Sequence, residues 1–132
     1  MIHVFVVLVK STRSVVVNKM TFEELKNFIK LEDTRLAKCY GVYSDKEKEV
    51  FSHSVKLTEE VGELCSEVLS KYSRQRKGKT EAYNEEKLAE ELVDVIIVAS
   101  LLANSLNIDV ETTLKKKMEK IERRHKENDE IR

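Results

Sequence analysis

Residues that break helices are almost missing from this chain. Its 132 residues contain no proline and only three glycines. Because β-sandwiches and β-barrels depend on many tight turns, this scarcity disfavours both folds and favours long helices. With 41% hydrophobic and 36% charged residues, the composition is typical of a folded helical protein rather than a disordered one. The length corresponds to about one domain.

Four stretches carry the apolar periodicity and the end signals of helices. We expect helices over residues 21–39, 44–72, 84–107 and 109–128. The first two begin with capping-box patterns, TFEE at 21–24 and SDKE at 44–47. Asn84 and Asp109 are suited to cap the other two helices. The segment 71–80 has five basic residues and no acidic one, so we interpret it as an exposed loop.

Four helices joined by short connections predict an all-α four-helix bundle. In the third helix, residues 92–102 are apolar on nearly every side except at Asp94 and Ser100. An all-round apolar helix must be covered by neighbours. We therefore expect oligomerisation to complete the bundle, in a homodimer or a homotetramer.

Residues 1–19 differ from the helical domain expected over 20–132. The stretches IHVFVVLVK and VVVN are rich in β-branched residues and fit a short hairpin; the alternative is a natural chain that starts at Met20. The apolar start is too short for a membrane span and lacks signal-peptide features, so no membrane partner is expected. Two cysteines 26 positions apart form no disulfide framework, which favours a cytoplasmic location. Cys65 is expected on a core face.

Two acidic pairs are the strongest candidates for chemistry. Glu60 and Glu63 are three residues apart on the second helix, and Glu91 and Asp94 have the same spacing on the third. Each pair therefore lies on one helical face, and side-by-side packing would bring four carboxylates together. The carboxylates would repel one another unless a cation such as Mg²⁺ neutralised them. The alternative for the second helix is a solvated acidic face.

The stretches KLTEEVGELCSEVL and KLAEELVDVIIVASLLANSLNID resemble the MazG-like all-α nucleotide pyrophosphohydrolases, relatives of the dimeric dUTPases and phosphoribosyl-ATP pyrophosphohydrolases. The likeness covers about residues 50–125. The family pattern is E-x-x-E, a spacer and then E-x-x-D, and the two acidic pairs match it with 27 residues between them.

The resemblance implies hydrolysis of a nucleoside triphosphate to a monophosphate and pyrophosphate. Mg²⁺, or Mn²⁺ in its place, would bind to Glu60, Glu63, Glu91 and Asp94. Glu59 or Glu63 would act as the general base, and the sequence does not choose between them.

Cationic side chains are expected to bind the phosphates. In similar proteins a lysine and a later arginine on the last helix do so, and Lys117 and Arg124 match them. Lys56 is a further candidate, either as a phosphate ligand or as a partner of Glu60. The asparagine, tyrosine and base-stacking tryptophans of some relatives are missing here.

Further expectations concern recognition of the base. Candidates for lining the base pocket are Phe28, Arg35 and Tyr40. His53 is an isolated histidine that could approach a substrate. The alternatives to the expected enzyme are a phosphoribosyl-ATP pyrophosphohydrolase and a non-catalytic helical interaction or RNA-binding module. The zero formal net charge and the lack of an aromatic stacking motif argue against a nucleic-acid partner.

Overall fold

The structure is a computed structural model that describes residues 19–41, 45–81 and 83–129. The regular structure of these residues is α-helical throughout: α1 (Phe22–Tyr40), α2 (Lys46–Lys71), α3 (Lys77–Glu81), α4 (Glu85–Ser105) and α5 (Val110–Asp129). The all-α prediction is confirmed. The extension expected over 1–19 lies outside the described residues, apart from Lys19.

Short side chains fix most of the helix starts, as the sequence predicts. The Thr21 hydroxyl accepts a hydrogen bond from the Glu24 backbone N–H, and the Glu24 carboxylate accepts one from the Thr21 N–H at 2.7 Å. This is the expected capping box of α1. Asn84 and Asp109 accept hydrogen bonds from first-turn N–H groups of α4 and α5, at 2.9 and 3.1 Å. Gly41, with φ +89°, ends α1.

Two local predictions were wrong. The cap of α2 is Asp45, whose carboxylate accepts from the Glu47 N–H at 2.9 Å, so the expected capping box at 44–47 gives way to a simpler aspartate cap. The expected loop at 71–80 contains the start of α3. The Arg74 N–H donates to the Leu69 carbonyl at 2.8 Å and closes the end of α2, after which α3 packs back against α2.

The centre of the fold is the antiparallel pair of α2 and α4. His53, near the start of α2, contacts Ser105 at the end of α4, whereas Lys87, near the start of α4, contacts Glu67 in the second half of α2. These two contacts fix the relative direction of the helices. α1 packs on α4, where the Asn104 amide donates to Asp33 at 3.2 Å.

Most buried positions of α2 and α4 recur every seven residues. They are His53, Glu60 and Glu67 on α2, and Glu91, Val98 and Ser105 on α4, whereas Ser70 and Leu101 are buried outside these rows. Seven residues are close to two helical turns, so each set forms a straight row along the contact. Five of the six side chains are polar, at positions that coiled-coil packing usually fills with apolar residues. These rows are therefore mainly polar, and the apolar Leu101 is buried beside them.

Few apolar side chains are buried. Among the described residues they are Ile29, Val98 and Leu101. The expected all-round burial of the third helix is not reached within one chain, since Val93 and Ile96 of α4 are about half exposed, 49% and 50%. The expectation that Cys65 lies on a core face was wrong, because its side chain is exposed.

The last helix lies apart from this centre. Every residue from 111 to 128 is exposed, and the chain bends by 112° between α4 and α5. The described part of a single chain therefore holds the four predicted helices without closing them into a bundle. None of its helices alone has the length and apolarity of a membrane crossing; α4 and α5 reach that threshold only when counted together as a bent pair.

The α2–α4 contact should dominate stability. Leu101→Ala is expected to lower the free energy of unfolding by about 2–5 kcal/mol, because Leu101 is 4% exposed. The matched change Leu114→Ala, on the exposed α5, should cost no more than about 0.5 kcal/mol. Urea unfolding followed by circular dichroism measures both. Equal losses would show that α5 is packed as firmly as α4.

Candidate metal centre

The two acidic pairs meet across the α2–α4 contact. Glu60 and Glu63 of α2 and Glu91 of α4 each offer a carboxylate oxygen, and these oxygens lie within 4.8 Å of one another. Glu60 and Glu91 are 6% and 8% exposed. The structure thus brings together three of the four carboxylates that the sequence singles out as metal ligands, with Glu60 and Glu91 buried and Glu63 exposed.

Asp94 lies beside these three, one helical turn after Glu91. Burial raises the pKa of Asp94 first, and the negative charges of Glu60 and Glu90 raise it further. Burial is also the largest cause that raises the pKa of Glu91, followed by the charge of Glu63. The charges of the four carboxylates therefore interact. We refer to Glu60, Glu63, Glu91 and Asp94 as the acidic cluster.

Two lysines partly neutralise the acidic cluster. The Lys56 ammonium lies 2.7 Å from Glu60 and 3.0 Å from Glu59. Partial burial would lower the pKa of Lys56, but the hydrogen bonds and charges of the two glutamates outweigh that effect and raise it. Of the two roles considered for Lys56 from the sequence, the structure shows the contact with Glu60.

Lys87 is the second cation, and the sequence analysis missed it. Its ammonium contacts the buried Glu67 and lies 3.9 Å from Glu91. The hydrogen bond to Glu67 is the largest cause that raises the pKa of Lys87. The four-residue spacing from Lys87 to Glu91 was visible in the sequence, whereas the contact with Glu67 depends on how α2 and α4 pack.

The other predicted catalytic and phosphate-binding residues lie at the surface. The Glu59 side chain is 54% exposed and points to Lys56 rather than into the acidic cluster. Lys117 and Arg124 are exposed on α5. No hydrogen bond or ion pair between either of them and the acidic cluster is found in the described part of the chain. Their roles stay predictions.

The residues expected around the base are not gathered into one pocket. Phe28 is 36% exposed on α1, and the Arg35 guanidinium lies 3.3 Å from Glu32. The side chain of Tyr40 is outside the described part. His53 is buried, with its ring directed to Ser105 rather than to solvent.

The chemistry of the acidic cluster fits a hard divalent cation. Carboxylate oxygens are the preferred ligands of Mg²⁺ and Mn²⁺. A cation would also relieve the repulsion that raises the pKa values of Glu91 and Asp94. The residues of the acidic cluster therefore fit a divalent metal ion.

Comparison with known proteins identifies the family to which the chain belongs. The MazG nucleotide pyrophosphohydrolase domain matches residues 51–128, which is more than half of the chain and includes the whole acidic cluster. The chain belongs to the MazG family. This MazG chain is 40% identical over 72 residues to the uncharacterised protein YpjD of Bacillus subtilis (strain 168). The aligned segment covers 54% of this chain and 63% of YpjD, less than two thirds of that relative. No solved structure matches this MazG chain.

The raised pKa values give a pH prediction. Mg²⁺ needs ionised ligands, so its affinity for this MazG chain should fall with acidification while the pH is still above 4.5, the ordinary pKa of a glutamate. Without metal, the folded state holds the Glu91 and Asp94 protons more tightly than the unfolded chain, so these groups should add stability as the pH falls. With saturating Mg²⁺ the sign should reverse, because protons displace the ion.

Calorimetric Mg²⁺ titrations and thermal melts between about pH 7 and pH 5 test this prediction. Glu91→Gln is the matched variant, since it removes one titrating group and keeps the shape of the side chain. In that variant, the change of stability with pH should be smaller than in wild type, both without metal and with saturating Mg²⁺. Identical trends in wild type and Glu91→Gln would mean that Glu91 neither titrates in this range nor binds the ion.

Proposed function

We propose that this MazG chain is a Mg²⁺-dependent nucleoside triphosphate pyrophosphohydrolase that cleaves between the α and β phosphates. Its products would be a nucleoside monophosphate and pyrophosphate. The observation that carries the proposal is the convergence of Glu60, Glu63 and Glu91 within 4.8 Å, inside the segment that matches the nucleotide pyrophosphohydrolase domain. A close group of carboxylates, two of which are buried, is costly without a cation and useful with one.

The acidic cluster would hold Mg²⁺ or, in its place, Mn²⁺. When bound, the ion would offset phosphate charge and make a bound water more acidic. Lys56 and Lys87 would offset the charge of the carboxylates before substrate arrives, through their contacts with Glu60 and Glu91. The Lys56 side chain is 48% exposed, so its ammonium is free to turn towards an incoming phosphate.

Glu59 is the better candidate for the general base. Glu63 contributes to the acidic cluster and hydrogen-bonds to Glu91, which leaves it less free to accept a proton. Glu59 precedes Glu60 directly, yet its carboxylate lies outside the cluster, 3.0 Å from Lys56. From there it can take a proton from the water that attacks the α-phosphorus.

Lys117 and Arg124 would contact the remaining phosphate charge. They are seven residues apart on α5, so they lie about 10 Å apart along one side of that helix. Both are exposed, and no ion pair is recorded for either in the described ranges. This availability supports a role in binding an anionic substrate.

A second copy of the chain would complete the bundle in a homodimer or homotetramer. Leu92, Val93 and Ile96 of α4 are between 49% and 51% exposed, and Val61, Val68 and Leu69 of α2 between 39% and 43%. With so few apolar side chains buried in one chain, these surfaces are best explained as a subunit interface. Both surfaces belong to the helices that carry the acidic cluster.

The activity is tested by pyrophosphate release from canonical and modified nucleoside triphosphates, with Mg²⁺ and with EDTA. Glu63→Gln and Asp94→Asn should lower kcat/KM at least about 100-fold and weaken Mg²⁺ binding. Glu59→Gln should lower kcat by about 10²–10⁴-fold and leave Mg²⁺ affinity unchanged. A loss of kcat with unchanged Mg²⁺ affinity identifies a general base, whereas a loss of Mg²⁺ affinity identifies a metal ligand.

Glu119→Gln, an exposed change on α5, is the control and should behave as wild type. Absence of pyrophosphate release from every triphosphate by the folded wild type would contradict the proposal. Release from phosphoribosyl-ATP in that case would identify the alternative enzyme.

The interface is tested by light scattering coupled to size-exclusion chromatography. Wild type should have two or four times the mass of one chain, and Ile96→Asp should reduce it to one, because a carboxylate there would be buried without a partner. Met118→Asp is the matched control: Met118 is similarly exposed, 54%, but lies on α5. A monomeric wild type, or dissociation by Met118→Asp alone, would rule out the α2–α4 face as the interface.

A further inference from the structure

A second group of metal-ligating side chains lies where α1, α2 and α4 meet. Asp33, Glu49 and His53 each offer one ligand atom, and these atoms lie within 4.8 Å of one another. We call them the three-helix cluster. His53 is seven residues before Glu60 on the same row of α2, so the two clusters are about 10 Å apart along the helix. This separation is too large for a shared pair of ions.

The hydrogen bonds of His53 determine which ring nitrogen is available. The ring is 7% exposed, and its Nδ1 lies 2.7 Å from the Ser105 hydroxyl oxygen. That hydroxyl has two other neighbours, the Leu101 carbonyl at 3.1 Å and the Glu49 carboxylate, both of which can only accept a proton. The hydroxyl therefore donates to one of them and accepts from Nδ1–H. In the neutral ring, Nε2 then carries the lone pair.

Both carboxylates are held by outer partners. The Asn104 amide donates to Asp33 at 3.2 Å, and the Lys46 ammonium lies 2.8 Å from Glu49. The hydrogen bond from Lys46 is the largest cause that lowers the pKa of Glu49 and keeps it ionised. A histidine whose second nitrogen donates a hydrogen bond, beside carboxylates fixed in the same way, is the arrangement that surrounds protein-bound metals.

We propose that the three-helix cluster binds a first-row transition-metal cation, for which Zn²⁺ is the best fit, and that this ion fastens α1 to α2. One imidazole nitrogen and two carboxylate oxygens favour Zn²⁺ over Mg²⁺, which prefers the all-oxygen acidic cluster. Zinc ligands lie about 2.0–2.2 Å from the ion, so the side chains need to close by only roughly 1 Å. Water would complete the coordination.

The position of the cluster explains what the ion would do. α1 contributes a single buried apolar residue, Ile29, among those described, and its polar link to α4 is the hydrogen bond between Asn104 and Asp33. An ion shared by Asp33 of α1 and by Glu49 and His53 of α2 would add a direct link between these two helices. Because it would bind only the folded chain, it would raise the melting temperature. The proposal does not depend on nucleotide hydrolysis.

The test is titration of the metal-free full chain with Zn²⁺ in excess Mg²⁺, which keeps the acidic cluster occupied. Calorimetry should give one Zn²⁺ per chain, with a rise in melting temperature, and Co²⁺ as a probe should give visible absorption typical of a nitrogen ligand. His53→Asn and Asp33→Asn should weaken Zn²⁺ binding by at least about 100-fold, and Ser105→Ala by about 10–100-fold. A purely structural hydrogen-bond network would not produce these losses of metal affinity.

His125→Asn is the matched control, because His125 is exposed on α5 and should have no part in binding. If His53→Asn does not fold, as judged by circular dichroism, Ser105→Ala and Asp33→Asn decide the question. No Zn²⁺ binding to folded wild type, unchanged affinity in the folded cluster variants, or loss of binding in His125→Asn would each overturn the proposal.

Discussion

Repulsion between carboxylates that two packed helices bring together is the constraint around which this structure is organised. Like charges about 5 Å apart repel by roughly 3 kcal/mol at an effective dielectric constant near 20. Glu60, Glu63 and Glu91 lie within this range of one another, and two of them are buried. The contacts of Lys56 with Glu60 and of Lys87 with Glu91 offset part of the cost. A bound cation would offset the rest.

The same packing places rows of mainly polar groups beside a small apolar core of Ile29, Val98 and Leu101. The buried residues of these rows repeat every seven positions on α2 and on α4, as apolar residues do in a coiled coil. Here His53, Glu60 and Glu67 take those positions on α2. Polar residues at positions that helix packing usually fills with apolar ones are expected at functional sites. Exposed apolar side chains lie on the outer faces of the same helices, so the helices that carry the acidic cluster also carry the proposed subunit interface.

Local signals in the sequence were sufficient to predict the helices but not to predict which helix faces pack against each other. The caps Thr21, Asn84 and Asp109 were predicted correctly, because a capping side chain bonds to backbone groups two or three residues away. The capping box at 44–47 was wrong, since Asp45 competes for the same N–H groups. The exposure of Cys65 depends on which face of α2 meets α4, and helical periodicity does not identify the partner.

The sequence by itself determined the all-α class, four helix positions and the two acidic pairs, because each rests on interactions within about one turn of helix. Only the tertiary structure decided that Lys87 contacts Glu67 and that His53 meets Asp33. Each of these contacts joins residues 20 positions apart. They depend on the direction and register of α2 against α4, which are set by packing across the whole length of both helices.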